Sequence, residues 1–361
     1  MNLSKILLLS CIFVGLHSMD NFQTDFDNVW PFEKLGTKYD DAFSVLAPIL
    51  HRCFNEGYPD LLPDIYKYVE KPKDKSFLSP DLKNVFNSFI TNEKQKKQIL
   101  KIIKYVFIAN NACKLSCAGN KVIIAFHGLG DTGYNFEQYI KHLDSNAASF
   151  VPDFYDHHDK ALNIGTELEL VMAAYQYFIA TQQLKRLDPS NKMDVYLLGG
   201  SRGGGIVARL MSKFKKDQKP ADGFIMLCPF INPPATVSHV AEVSSVQSSG
   251  FGIRFPQWLM SSSIKSANSI SADRIELNTE IPAVVKLNKP ILIVHGSKDR
   301  IIPHEESENW ALEHAKLGNE VYYLKVPGVD HNELFGELSC IELIRAFLNK
   351  DFAKLKPLRI Q

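Results

Sequence analysis

An excess of charge of either sign is missing from this chain. Its 41 Lys and Arg stand against 40 Asp and Glu, a formal net charge of +1. That balance removes the global electrostatic case for nucleic acid or for a strongly acidic partner. Beyond the first twenty residues no apolar stretch is long enough to span a bilayer, so no stable membrane span is expected. There is no CxxC pair and no His and Cys cluster with zinc-ligand spacing. No glycine-rich turn ends in Gly-Lys-Ser/Thr, so the phosphate loop of nucleotide enzymes has no counterpart. Internal repeats and low-complexity tracts are lacking too. These absences leave chemistry done by ordinary side chains, with no metal or organic cofactor expected.

What is present is a chain of 361 residues, 45% of them hydrophobic, enough for one large domain with appendages or for two. The start is unusual. A lysine in "MNLSK", the apolar run "ILLLSCIFVGL" and the polar exit "HSMD" have the layout of a secretory signal peptide over residues 1–18. The expectation is a secreted or periplasmic protein. The competing readings are a buried first element and a lipoprotein signal at Cys11. Of six cysteines, Cys113 and Cys117 are placed to pair in an oxidising compartment, unless all are free in a core that needs no staples.

Residues 19–118 read as a helical N-terminal region. Ser79 and Pro80 form a helix start, followed by Leu82, Val85, Phe86, Phe89 and Ile90 at the spacing of one helix face. Ile99, Ile102, Ile103, Val106 and Phe107 repeat that spacing. Such stripes are core rather than chemistry. From residue 119 the rhythm changes. The runs "KVIIAF", "DVYLL", "GFIMLCPF", "ILIV" and "NEVYYLKV" alternate with helical stretches. Short continuous apolar runs between helices predict a mostly parallel sheet covered on both faces, over 119–361. The serine-rich segment 231–285 interrupts the alternation as a lid-like insertion.

The informative motif is Gly199-Gly200-Ser201-Arg202-Gly203, a G-x-S-x-G between a strand and a helix. A sharp turn there exposes the hydroxyl at a helix N-terminus, where backbone N–H groups favour developing negative charge. The flanking positions must be small because side chains would meet neighbouring backbone. A serine nucleophile needs a base, and the base needs an orienting acid. Asp299 follows the strand "ILIV", and His331 follows "VYYLKV". A parallel sheet brings the carboxyl ends of its strands to one edge, so Ser201, Asp299 and His331 are expected to meet there. Asp330, Asp273 and Glu280 are the rival acids. His127 and His295 are expected to support loops, and "DFYDHHD" at 153–159 is expected to be a solvated loop rather than a metal site.

The chain order Ser201, Asp299, His331 resembles the α/β-hydrolase superfamily of serine esterases, thioesterases, lipases and peptidases. Over residues 121–350, "HGLGDTG" is similar to the oxyanion loop of acyl-protein thioesterases and carboxylesterases. "HGSKDRIIP" and "GVDHNEL" are similar to the acid and histidine loops of dienelactone hydrolases and prolyl-oligopeptidase-type enzymes. The resemblance implies an α/β-hydrolase fold, a small-molecule acyl substrate, and an oxyanion hole made by the backbone N–H groups of Leu129 and Arg202. The departures are the helical N-terminal region, the 231–285 insertion, and a charged residue at Arg202. That guanidinium either contacts an anionic substrate group or makes structural hydrogen bonds. In the insertion, Phe255 and Trp258 of "GFGIRFPQWLM" are candidates for lining or covering the acyl site. The expected activity is ester or thioester cleavage. A prolyl-oligopeptidase-type peptidase and a non-catalytic binding protein on the same fold are the alternatives.

Overall fold

The computed structural model describes residues 30–55, 61–70, 83–84, 86–87, 90–110, 119–128, 131–153, 167–190, 192–215, 221–236, 238–239 and 281–356. The chain divides into two compact units, Met1–Phe107 and Ile108–Gln361.

The first unit is helical. Helix α1 (Asp40–Asn55) opens on Asp40, whose carboxylate accepts the backbone N–H groups of Gly36 and Thr37. Acceptors at that end satisfy donors left over by the chain's entry into the helix. Phe43, Leu46, Ala47 and Leu50 bury one face of α1, and Trp30 packs on Phe43 at 5.2 Å between ring centroids. Helices α2 (Leu61–Glu70) and α3 (Glu93–Asn110) follow. Ile99, Ile102 and Ile103 of α3 are fully buried, as the helical stripe predicts. Ser79 and Pro80 lie outside the described residues.

Among its described residues the second unit holds a six-stranded parallel sheet in the order β2-β1-β3-β4-β5-β6. Its strands are β1 (Lys121–Phe126), β2 (Ala148–Phe150), β3 (Asp194–Gly200), β4 (Gly223–Leu227), β5 (Ile291–Gly296) and β6 (Val321–Val326). Central strands β4 and β5 are buried along their whole length, which is why they read as unbroken apolar runs. Helices α4 (Gly133–Leu143), α5 (Glu167–Leu187), α6 (Arg202–Met211), α7 (His304–Lys316) and α8 (Leu338–Leu348) make the crossovers and the closing element. One layer of core gathers Ile123, Leu198, Ile225, Leu292 and Val294 from the sheet with Phe136, Ile140, Ile344 and Phe347 from α4 and α8. Burying side chains of this size contributes about 1.5–3 kcal/mol each before entropy. Among the described residues no helix is long and apolar enough to cross a membrane.

Register places the chemistry. Gly199 and Gly200 at the end of β3 pair with Met226 and Leu227 at the end of β4. Leu227 in turn pairs with Val294, and Gly296 with Val326. Whatever follows β3, β4, β5 and β6 therefore emerges side by side along one edge.

Candidate active site

Ser201 occupies the single residue between β3 and α6, with φ 53° and ψ −116°. A side chain in that left-handed region is strained by about 1–3 kcal/mol. Backbone bonds hold it there. Its N–H donates to the Leu227 carbonyl at 2.8 Å, and its own carbonyl accepts from Phe230 at 3.0 Å. Glycine is required around it for closeness. A Cβ at Gly203 would lie 1.7 Å from the Phe126 carbonyl oxygen, and one at Gly199 would lie 2.2 Å from the Gly203 carbonyl oxygen. The helix thus starts against the backbone of β1 and β3, with no room for a methyl group.

His331 arrives from the loop after β6. Its Nε2 lies 3.0 Å from Ser201 Oγ, and its Nδ1 lies 2.7 Å from Asp299 Oδ2. A carboxylate only accepts, so Nδ1 carries the proton and Nε2 of the neutral ring presents its lone pair to the serine hydroxyl. Asp299 comes from the turn after β5 and is held on all sides. Oδ1 accepts the N–H groups of Ile301 and Ile302, each at 2.8 Å. Oδ2 accepts from His331 and, at 3.1 Å, from His295 Nε2. His295 Nε2 also faces the Ile302 carbonyl at 3.1 Å, so it is the protonated nitrogen. Its Nδ1 then accepts from the Ser307 hydroxyl at 2.9 Å. A hydrogen-bonded line thus runs Ser307, His295, Asp299, His331, Ser201.

Electrostatics follow from this line. Burial alone would raise the pKa of Asp299, but the hydrogen bonds from His295 and His331 outweigh it and hold the carboxyl well below its ordinary range. Burial would lower the pKa of His331. The Cys228 sulfur on one side of the ring and Asp299 on the other overcome that and raise it above the ordinary histidine value.

The rival acid Asp330 is engaged elsewhere. Its carboxylate pairs with the Arg300 guanidinium and accepts the His331 backbone N–H at 2.8 Å, not the ring. It ties the acid loop to the histidine loop. The Arg202 side chain turns into the protein. It is 2% exposed and pairs with Glu169 of α5, which also takes Arg209 at 2.5 Å. Its side chain makes structural bonds. Its N–H, at the first residue of α6, has no acceptor within the helix. His127 is buried, with Nδ1 at 2.8 Å from the Gly128 carbonyl and Nε2 at 3.4 Å from Asp153. Leu129, Phe255, Trp258, Cys113, Cys117, Asp273, Glu280 and residues 1–18 lie outside the described residues.

Sequence reasoning passed over Cys228. It is the first residue after β4, fully buried, with φ 37°, and its Sγ is 4.0 Å from His331 Nε2. The signal was its position: it follows an apolar strand, as Ser201 follows β3. Among the described residues one group has the composition of a metal site, Cys228, Asp299 and His331, and it coincides with this constellation. A separate polar cavity of about 470 Å³ lies near the start of β1, lined by Lys121, Asp144, Arg345 and Asn349 among others. It is remote in the fold from the strand ends that carry Ser201.

Residues 121–259 match the family model described as alpha/beta hydrolase fold. No curated protein matches the chain. Among solved structures, the chain is similar to the esterase Pf2001 of Pyrococcus furiosus, with 15% identity, 68% of this chain and 88% of that one covered, and a TM-score of 0.46. It is similar to Est1E from Butyrivibrio proteoclasticus, with 17% identity, 68% and 93% coverage and a TM-score of 0.42. A thermophilic esterase from Thermogutta terrifontis, solved with butyrate bound, shows 15% identity, 66% and 88% coverage and a TM-score of 0.44.

Proposed function

We propose that this chain, which carries the α/β-hydrolase fold, is a serine hydrolase that cleaves an ester or thioester through an acyl-enzyme. The observation that carries the reading is the unbroken line from Ser201 Oγ through the His331 ring to Asp299, at 3.0 and 2.7 Å. Distances in this range suit proton transfer by a general base. Three residues from three strand ends have no reason to converge so in a purely binding protein.

In the mechanism, Ser201 Oγ attacks the acyl carbonyl while His331 Nε2 takes the hydroxyl proton. Asp299 keeps the ring in the accepting tautomer and stabilises the imidazolium that forms. The oxyanion of the tetrahedral intermediate is held by the backbone N–H groups of Arg202 and Leu129. His331 returns the proton to the departing alcohol or thiol, leaving an acyl ester on Ser201. Water then attacks that ester, again giving its proton to His331 Nε2, and the acid and free serine are released. Phe255 and Trp258 of the 231–285 insertion are proposed as acyl-chain contacts. Residues 1–18 are proposed as an export signal.

A fluorophosphonate probe tests the core of this reading. The wild-type protein should be labelled on one serine, and Ser201→Ala should be folded and unlabelled. Labelling that survives Ser201→Ala would refute the assignment. A panel of p-nitrophenyl esters of graded chain length, with thioesters and peptide amides beside it, then sorts the substrate class.

A further inference from the structure

Asp299 and His331 form a pair with a second chemical meaning. A carboxylate that fixes Nδ1–H and turns the Nε2 lone pair outward is the arrangement proteins use behind metal-binding histidines. Here the Nδ1 to Oδ2 distance is 2.7 Å, and the carboxylate is pinned by His295 and two backbone N–H groups. The outward Nε2 faces two side chains, not one: Ser201 Oγ at 3.0 Å and Cys228 Sγ at 4.0 Å. Proton transfer from serine has no use for the sulfur. A soft cation does.

The spacing fits. With zinc–sulfur and zinc–nitrogen bonds of about 2.3 and 2.05 Å, a tetrahedral centre puts its sulfur and nitrogen donors roughly 3.6 Å apart. The observed 4.0 Å needs a shift of a few tenths of an ångström. Asp299 belongs to the same cluster, but both its oxygens already accept two hydrogen bonds, so it acts behind the histidine rather than as a ligand. Ser201 is partly exposed, which gives a small ion and its waters a way in.

We propose that Cys228 Sγ and His331 Nε2 form a site for a thiophilic divalent cation, of which Zn²⁺ is the representative, with Ser201 Oγ or water completing the coordination. On binding, the Cys228 thiol gives its proton to solvent and its sulfur becomes a thiolate ligand, with no change of oxidation state. The ion takes the lone pair that would accept the serine proton, so an occupied centre does not turn over. The site is inhibitory and reversible. Its effect on turnover rests on the serine-hydrolase reading; the binding itself does not.

The probe is Co²⁺, whose thiolate complexes absorb by charge transfer, followed by Zn²⁺ displacement. The full chain should take up Co²⁺ with a thiolate band that Zn²⁺ bleaches. Ser201→Ala, inactive as a hydrolase, should keep the band, and so should Cys340→Ala, which removes the other described buried free thiol. Cys228→Ser and Cys228→Ala should lose it. Zn²⁺ should inhibit ester turnover, EDTA should restore it, and either Cys228 variant should be at least ten-fold less sensitive relative to its own metal-free rate. If one Cys228 variant fails to fold, the other carries the comparison. A missing band, a band that persists without Cys228, or unchanged zinc sensitivity would overturn the proposal. A normal band in a protein that no fluorophosphonate labels would instead overturn only the hydrolase reading.

Discussion

Replacing Asp299 by Asn sets four donors against one acceptor. In the native protein the N–H groups of Ile301 and Ile302 point at Oδ1, and His295 Nε2 and His331 Nδ1 point at Oδ2. An Asn amide has a single oxygen. If it faces the two backbone groups, its NH₂ meets both imidazoles. His331 escapes by moving its proton to Nε2, so that Nδ1 accepts from the amide. His295 still donates to the Ile302 carbonyl and so keeps its Nε2 proton against the second amide hydrogen. One buried donor is left opposed, a cost of about 1–3 kcal/mol. The fold should survive this with a lower urea midpoint. Turnover should not survive, because the escaped tautomer presents an N–H to Ser201 where a lone pair is required. The same change in a serine protease lowers kcat by about 10⁴-fold, and a loss of at least about 10²-fold is expected here, with KM little changed. The assay is kcat on a small ester beside Asp330→Asn, whose carboxylate serves Arg300 and backbone and should stay within a few-fold. Near-normal turnover in Asp299→Asn, or an equal collapse in Asp330→Asn, would refute the tautomer argument.

Two further outcomes follow from the same edge of the sheet. In Gly203→Ala the new methyl would sit 1.7 Å from the Phe126 carbonyl oxygen, so α6 must retreat by more than an ångström and carry Ser201 away from His331. A shift of that size costs about 10²-fold in rate and overpacking about 1–3 kcal/mol; an unchanged urea midpoint and labelling rate would show the contact to be looser. The pH profile has its own sign. His331 must be neutral to accept a proton and its pKa is raised, so the acid limb of kcat/KM should lie above the ordinary 6.5, activity growing as pH rises through it. Its protonated form stabilises the fold fully below pH 6.5, and that contribution fades as pH climbs through the raised value. Asp299 runs the other way: its contribution is complete above its ordinary 3.8 and is lost only as pH falls through the depressed value. Rate and thermal-melt profiles across pH check both.

The parts of this architecture that sequence reveals are those with one-dimensional causes. Strands buried on both faces must be apolar throughout, so "GFIML" and "ILIVHG" coincide with β4 and β5. Ser201, Asp299 and His331 are legible because each lies at, or in the short turn or loop after, the end of a strand run and a parallel sheet sends all run ends one way. β2, only three residues long, has too little length for a pattern. Glu169 looks like an ordinary first-turn acid of α5, and only helix packing shows it buried between Arg202 and Arg209. Ser307 reads as a surface residue of α7, yet it is fully buried and fixes the tautomer of His295 from a different element. Cys228 ends the apolar run "GFIMLC" and so passes for core. That it touches the histidine depends on the register of β4 between β3 and β5, which no local pattern encodes.

The five glycines about Ser201 show how position and strain are separated. None of them is among the residues with a left-handed φ; Ser201 itself is. Had the turn merely needed a left-handed residue, glycine would occupy that position without penalty and the neighbours would be free to vary. The reverse arrangement holds. Gly199 and Gly203 remove the bulk that would keep α6 away from the β1 and β3 backbone, and the tight seat that results imposes the strained conformation on the one residue with a hydroxyl. That seat also aligns the start of α6, the positive end of its helix dipole, beside the same hydroxyl. Cys228, also left-handed and also one residue past a strand end, is the second such position. Ser201 and Cys228 each bring a nucleophilic atom toward a single nitrogen, Nε2 of His331. Of the three non-glycine residues with a left-handed φ among the described residues, two therefore sit where two elements must aim at one atom, and the third, Lys350, lies just past the end of α8.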